Sequence, residues 1–212
     1  MPPLGFGNTN WQKADWANHN VFNVGFRPDH VRLDQQRITL TLDDQDSHGY
    51  PFTSGEYRTL KVFGYGRYQV RMKVPRGSGI VSSFFVYTGP SEGTPHDEID
   101  MEFLGRDTTK VQFNYWTNGK GGNEKMHKLG FDAAADFHEY GFEWRPDYIA
   151  WFVDGVEVHR LTKAITGVPI PTHQGKIMMN LWTGTPEVED WLGPFKFEKP
   201  LKAHYEDVRF TS

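Results

Sequence analysis

The sequence predicts a single all-β domain, an antiparallel sandwich or barrel spanning residues 1–212. Three observations lead there. Aromatic residues make up 15% of the chain, and such side chains favour pleated, half-buried surfaces and fill cores. Runs of β-branched and aromatic residues recur at short intervals, with Gly, Pro, Asn or Asp between them. Helical periodicity is nearly absent. A chain of 212 residues can bury one sizeable core, and no linker, low-complexity tract or internal repeat divides it.

In chain order the expected strands are "RITLTL" (37–42), "GRYQVRMKV" (66–74), "GIVSSFFVYT" (79–88), "KVQFNYWT" (110–117), "YGFEW" (140–144), "YIAWFVD" (148–154), "KIMMNLW" (176–182) and "HYEDVRF" (204–210). Asp154-Gly155 stands between two such runs, the signature of a two-residue type I′ hairpin. One segment, "DAAADFHE" (132–139), could form two helical turns.

Composition narrows the function classes. The formal charge is −4 and Lys and Arg are scattered, which argues against nucleic-acid binding. Without Cys there is no disulfide framework and no thiolate chemistry. No apolar run reaches the length of a membrane-spanning helix. Met1-Pro2-Pro3-Leu4-Gly5 has neither a basic nor an apolar leader region, so no export signal is expected here. "DDQDSHGY" (43–50) begins like a calcium loop, but Gly55 stands where the bidentate acid belongs, so a polar turn is expected. The nine His show no metal-ligand spacing. "KVFGYGRY" has no following helix to make a phosphate loop.

The chemistry concentrates in "HDEIDMEFLG" (96–105). On a strand, successive side chains point to opposite faces. Glu98, Asp100 and Glu102 therefore share one face, and Ile99, Met101 and Phe103 share the core face. No basic residue lies between His96 and Arg106 to relieve the repulsion. A solvated outer face would explain simple alternation, but the neighbouring "KVQFNYWT" offers aromatics and amides at alternate positions, groups that line sugar clefts. Glycoside hydrolysis uses two carboxyl groups, one protonated and one ionised. A third acid between them can push their pKa values apart. Along an extended strand the Cα atoms of Glu98 and Glu102 are roughly 13 Å apart, beyond the ~5–9.5 Å that glycosidase carboxyl pairs require. Strand curvature and leaning side chains must close that difference.

"DEIDMEFLG" followed by "DTTKVQFNYWTNGKGGNE", with "EYRTLKVFGYGRYQVRMK", "GIVSSFFVYTGP", "FEWRPDYIAWFVDG" and "GKIMMNLWTGT", resembles glycoside hydrolase family 16, and within it the bacterial β-1,3-1,4-glucanases or lichenases. The resemblance implies a β-jelly-roll sandwich whose acidic strand lies on the concave face of a sugar-binding cleft. It implies retaining, endo-acting hydrolysis of β-1,4 bonds in mixed-linkage glucan, with Glu98 as nucleophile, Glu102 as general acid/base and Asp100 assisting. The positions it implies for substrate binding are Glu56, Arg58, Phe85, Tyr87, His96, Asn114, Trp116, Glu124, Asn180 and Trp182, with Asn18 a looser match. A polysaccharide substrate, a monomer, secretion outside the cell and no required cofactor are expected with it.

Three departures matter. His96 stands where lichenases carry Trp, a form shared with succinoglycan depolymerases and plant xyloglucan transglycosylases of the same family. The smaller ring leaves room for a decorated glucan, so succinoglycan depolymerisation is the alternative activity. Val24 and Ser54 stand in place of the lichenase disulfide. The family's calcium site would use the place of Glu206 and an N-terminal segment that is shortened here, which argues against calcium. A transglycosylase would use the same acids. A carbohydrate-binding module or lectin shares the sandwich but has no need of three acids on one strand.

Overall fold

Strands with one apolar and one polar face bury the apolar faces against each other, and two sheets stacked face to face do this for the whole chain. The computed structural model describes residues 3–7, 10–34, 36–163 and 167–212. It has two seven-stranded antiparallel sheets. The first runs in the order β1 (Trp11–Lys13), β6 (Glu56–Thr59), β15 (Lys176–Thr183), β8 (Ile80–Thr88), β9 (Asp97–Leu104), β10 (Lys110–Trp116), β11 (Lys125–Lys128). The second runs β14 (Val156–Thr162), β13 (Tyr148–Val153), β12 (His138–Trp144), β7 (Gly66–Lys73), β16 (Leu201–Thr211), β4 (Arg37–Leu42), β3 (Val31–Asp34). A short parallel pair, β2 (Gly25–Phe26) with β5 (Thr53–Ser54), completes the β structure.

Alternation decides what each sheet contributes inward. Ile99, Met101 and Phe103 of β9 and Ile177, Met179 and Leu181 of β15 are buried against Ile38 and Leu40 of β4 and Tyr68, Val70 and Met72 of β7. Each such aliphatic side chain gains about 1.5–3 kcal/mol on full burial. Two aromatics of the second sheet also carry polar heads through this layer. Trp151 Nε1 donates to the carbonyl of Asp100 at 3.1 Å. The Tyr205 hydroxyl lies 3.1 Å from the carbonyls of both Ser83 and Asn180. The backbones of β8, β9 and β15, which carry the acidic face, are thus pinned from beneath by groups that would otherwise be buried without partners.

All eight expected strands form, with end shifts of a few residues. β12 starts at His138 and β16 at Leu201, because both pair with β7 or β4 beyond the apolar run. The hairpin at Asp154 (φ 48°) and Gly155 (φ 77°) has the two positive φ values of a type I′ turn. The expected helix over 132–139 does not form. Asp132 Oδ1 accepts from the Ala134 amide at 2.9 Å and Asp136 Oδ1 from the Phe137 amide at 2.7 Å, so side chains take backbone donors. Residues 138 and 139 already belong to β12. Among the described residues the α-helix is the single turn α1 (Glu189–Leu192).

Where the two sheets part at one edge, His127 of β11 and His159 of β14 stack on Phe113, at 5.8 Å and 6.1 Å between ring centres. Burial, then the charge of Lys125, lowers the pKa of both rings, and His127 adds to the effect on His159. The unfolded chain then binds more protons below the ordinary histidine value of 6.5. The stability these rings contribute is complete above that pH and is lost as pH falls below it, through the lowered folded values. Replacing both by Phe keeps the stack and removes the titration. The thermal midpoint of the double variant is expected to gain a few degrees on the parent between pH 7 and pH 5, read by calorimetry.

Candidate active site

The outer face of the first sheet forms the floor of an open cleft of about 650 Å³. Glu98, Asp100 and Glu102 line it. Antiparallel register places each acid between one residue of β8 and one of β10. Tyr87 and Trp116 flank Glu98, Phe85 and Asn114 flank Asp100, and Ser83 and Gln112 flank Glu102. None of the six is basic, so the flanking strands place no positive charge beside the carboxyl groups.

The consequence is a set of retained protons. Asp100 is buried, and burial first, then the charges of Glu98 and Glu102, hold its carboxyl well above the usual range. A hydrogen bond to Glu98 adds to this. Glu102 is pushed up to about 8, again by burial first and then by the charge of Glu98, against the opposing hydrogen bond from Gln112. That bond, Gln112 Nε2 to Glu102 Oε2 at 2.9 Å, is fixed in turn because Gln112 Oε1 accepts from Trp191 Nε1 at 3.1 Å. At neutral pH the strand offers protonated carboxyls at Asp100 and Glu102 next to Glu98. An acid and a nucleophile or base on one surface is the equipment for glycosidic bond cleavage.

Neighbouring strands build the rest of the cleft. Glu56 is buried and lies opposite Asn180 in the β6–β15 register. Burial pushes its carboxyl up to about 7, although Asn180 Nδ2 donates to Glu56 Oε2 at 3.2 Å. Asn180 Oδ1 is left buried without a hydrogen-bond partner. Arg58 lies 4.3 Å over the Trp16 ring and donates to Gln12 Oε1 at 3.2 Å. Glu92 accepts from both Arg58 (3.5 Å) and Lys176 (2.7 Å), tying the segment after β8 to β6 and β15. Trp182 packs on Phe22 at 4.3 Å between ring centres. On the far side of β9, Asp97 is buried and accepts from the amides of Asn118, Thr172 and His173 and from the His173 ring. Burial raises its pKa, but these donors together hold it below the ordinary value.

Of the residues singled out from the sequence, Asn18, Glu56, Arg58, Phe85, Tyr87, His96, Asn180 and Trp182 line the cleft with the triplet. Three stand outside that lining. Asn114 lies across from Asp100, and its Oδ1 accepts from the Tyr115 amide. Trp116 stacks on His96 at 5.0 Å and 13°, with Gly121 so close that a Cβ there would lie 2.7 Å from the ring. Glu124 is exposed, its charge reaching Asp100 and Glu102 from a distance. The sequence reading missed Gln112, although it has the same parity as Asn114 and Trp116. It also missed Ser83 and Met178, which alternation places on the cleft face with Phe85 and Asn180. Trp16, His19, Asn20 and Glu92 come from segments without strand periodicity, where no such signal exists.

The Glu206 carboxylate is taken up by Arg37 (2.6 Å) and Arg71 (3.2 Å). No group of three acidic or imidazole side chains among the described residues could hold a metal ion.

Comparison with known proteins agrees with this geometry. The family model for glycosyl hydrolases family 16 matches residues 18–198. A beta-glucanase of Acetivibrio thermocellus is 56% identical over 205 residues, covering 97% of this chain and 60% of its own length. The chain thus spans about three-fifths of that curated relative. A beta-glucanase of Bacillus subtilis (strain 168) is 51% identical over 214 residues, covering 99% of this chain and 84% of its own length. A crystal structure of a prokaryotic β-1,3-1,4-glucanase (lichenase) from a mouse hindgut metagenome superposes with a TM-score of 0.92 at 48% identity, covering 99% of each chain. The jelly-roll sandwich expected from the resemblance is the fold these proteins share. With the acidic strand at the centre of a match that runs nearly end to end, this chain belongs to family 16 of the glycosyl hydrolases.

Proposed function

We propose that the chain is an endo-acting β-glucan hydrolase that cuts β-1,4 bonds in mixed-linkage β-1,3-1,4-glucan with retention, by double displacement. One observation carries the reading: Glu98, Asp100 and Glu102 stand together on the floor of an open cleft, with protons held on Asp100 and Glu102 beside Glu98. The relatives named beta-glucanase and the lichenase structure support the choice of substrate.

In this mechanism a Glu98 carboxylate oxygen attacks the anomeric carbon. The glycosidic bond breaks toward its oxygen, which takes the proton of Glu102. Water then attacks the same carbon, gives its proton to Glu102, and the electron pair of the ester bond returns to Glu98. Asp100, hydrogen-bonded to Glu98 and buried between the two glutamates, keeps its proton and steers the charge to Glu98. The chemistry needs no cofactor, one chain suffices, and a polymeric substrate points to work outside the cell.

The test is product analysis of parallel digests of mixed-linkage glucan, laminarin, xyloglucan and succinoglycan. The expected result is rapid release of short oligosaccharides from mixed-linkage glucan, with the β-anomer appearing first in the NMR spectrum. First appearance of the α-anomer would overturn retention. Preferential cutting of succinoglycan, or transfer products from an added acceptor sugar in place of hydrolysis, would overturn the assigned activity.

A further inference from the structure

His96 occupies a position that the cleft chemistry described so far does not use. Its Nε2 lies 2.6 Å from Glu98 Oε2, shorter than an ordinary N–H···O bond. The ring is held on other sides as well. It stacks on Trp116 at 5.0 Å and 13°, and Tyr87 lies against it at 5.3 Å and 59°. Its backbone carbonyl accepts from the Gly119 amide at 2.9 Å. The imidazole is therefore an oriented group, and its neighbours Trp116 and Tyr87 are the residues that flank Glu98 in the strand register.

We propose that His96 is a positioning residue for the nucleophile: Nε2–H holds Glu98 Oε2, so that Oε1 is the oxygen presented to the anomeric carbon. This rests on the reading of Glu98 as nucleophile. A donor fixed on one oxygen acts differently in the two halves of the reaction. When Oε1 forms its bond to the anomeric carbon and the glycosidic electron pair leaves to the departing oxygen, the Glu98 charge is consumed and the bond from His96 weakens. When water attacks and the C–Oε1 pair returns to the carboxylate, the charge reappears against Nε2–H and the bond strengthens. His96 thereby favours release of the glycosyl-enzyme, on top of fixing the geometry of attack.

Two variants separate the hydrogen bond from the ring. His96→Phe keeps an aromatic face for Trp116 and removes the donor. His96→Gln restores an N–H at the distance of Nε2 and removes the ring. With an aryl β-glycoside of a glucan oligosaccharide bearing a good leaving group, His96→Phe is expected to lower kcat about 10- to 100-fold, the scale of one hydrogen bond to a charged group. KM should fall with it, because the covalent intermediate accumulates, and intact-mass spectrometry should show most of the enzyme carrying one glycosyl group in the steady state. His96→Gln should recover at least half of the lost factor on a logarithmic scale. Equal losses in both variants, or a lower kcat without accumulated intermediate, would show that the ring serves packing alone and would overturn the proposal. Peptide mapping of the trapped species keeps the underlying assignment separate. A label on Glu98 in the parent enzyme preserves the nucleophile whatever the His96 variants do, and a label elsewhere overturns the nucleophile itself.

Discussion

Replacing Glu98 by Ala is expected to lower turnover of mixed-linkage glucan by roughly 10⁴-fold or more, the scale on which a lost nucleophile is felt. The fold should survive, because Glu98 is half-buried at the cleft surface and contributes nothing to the apolar layer formed by Ile99, Met101 and Phe103. On the proposed assignment, the variant loses the group that forms the covalent intermediate, and the space left by the side chain opens into the cleft, where a small anion can enter. Added azide is expected to restore cleavage of an activated aryl glycoside and to give the α-glycosyl azide, inverted relative to the substrate. In that reaction azide attacks directly while Glu102 still protonates the leaving oxygen. Appreciable hydrolysis by the unrescued variant, or a β-configured azide product, would remove Glu98 from the nucleophile's place.

Much of this site was legible because β structure has a period of two. "DEIDMEFL" divides into a core face and an acidic face by alternation alone, and β9 divides the same way. The same parity was available along β10 for Gln112 and along β15 for Met178, beside Asn114 and Asn180. Periodicity does not reach the segments outside strands. Trp16, His19, Asn20 and Glu92 enter the cleft from such segments, placed by contacts distant in sequence, such as Glu92 with Arg58 and Lys176. The failed helix at 132–139 has a local cause: alanines favour helix, but Asp132 and Asp136 offer the backbone amides closer acceptors.

His96 shows a different limit. From the sequence it is a cleft residue whose small ring carries a hydrogen-bonding nitrogen near Glu98. In the structure it lines the cleft, with one face on Trp116 and Nε2 2.6 Å from Glu98, an arrangement the strand alone does not specify. The β9–β10 register decides this by setting Trp116 across from Glu98, and register between two strands is fixed by pairing that neither strand states alone.

Glu102→Gln is the second large effect, and it differs from the first in both stereochemistry and pH dependence. The amide keeps the shape of the side chain and can still accept from Gln112 Nε2, which lies 2.9 Å from the present carboxylate. It cannot release a proton to a leaving oxygen. Hydrolysis of mixed-linkage glucan is expected to fall by about 10²–10⁴-fold, the usual worth of a positioned general acid. An aryl glycoside with a good leaving group should still form the glycosyl-enzyme on Glu98. Azide then intercepts that intermediate and gives the β-glycosyl azide, of retained configuration, opposite to the product expected from Glu98→Ala. In the parent, the acid must be protonated and its pKa is pushed up to about 8. The parent's kcat/KM should therefore decline as pH rises through about 8, and the variant should lack that limb. Stability moves with the same group. A carboxyl with a folded pKa above its unfolded value of 4.5 contributes most below 4.5, and that contribution is lost as pH rises through about 8. The Gln variant cannot ionise, so its thermal midpoint should exceed the parent's at pH 8 and approach it toward pH 5. An α-configured azide product would instead make Glu102 the nucleophile, whereas an alkaline limb retained in the variant would place the acid on another residue. Buried Asp100, which lies between the two glutamates and is itself held protonated, would be the next to test.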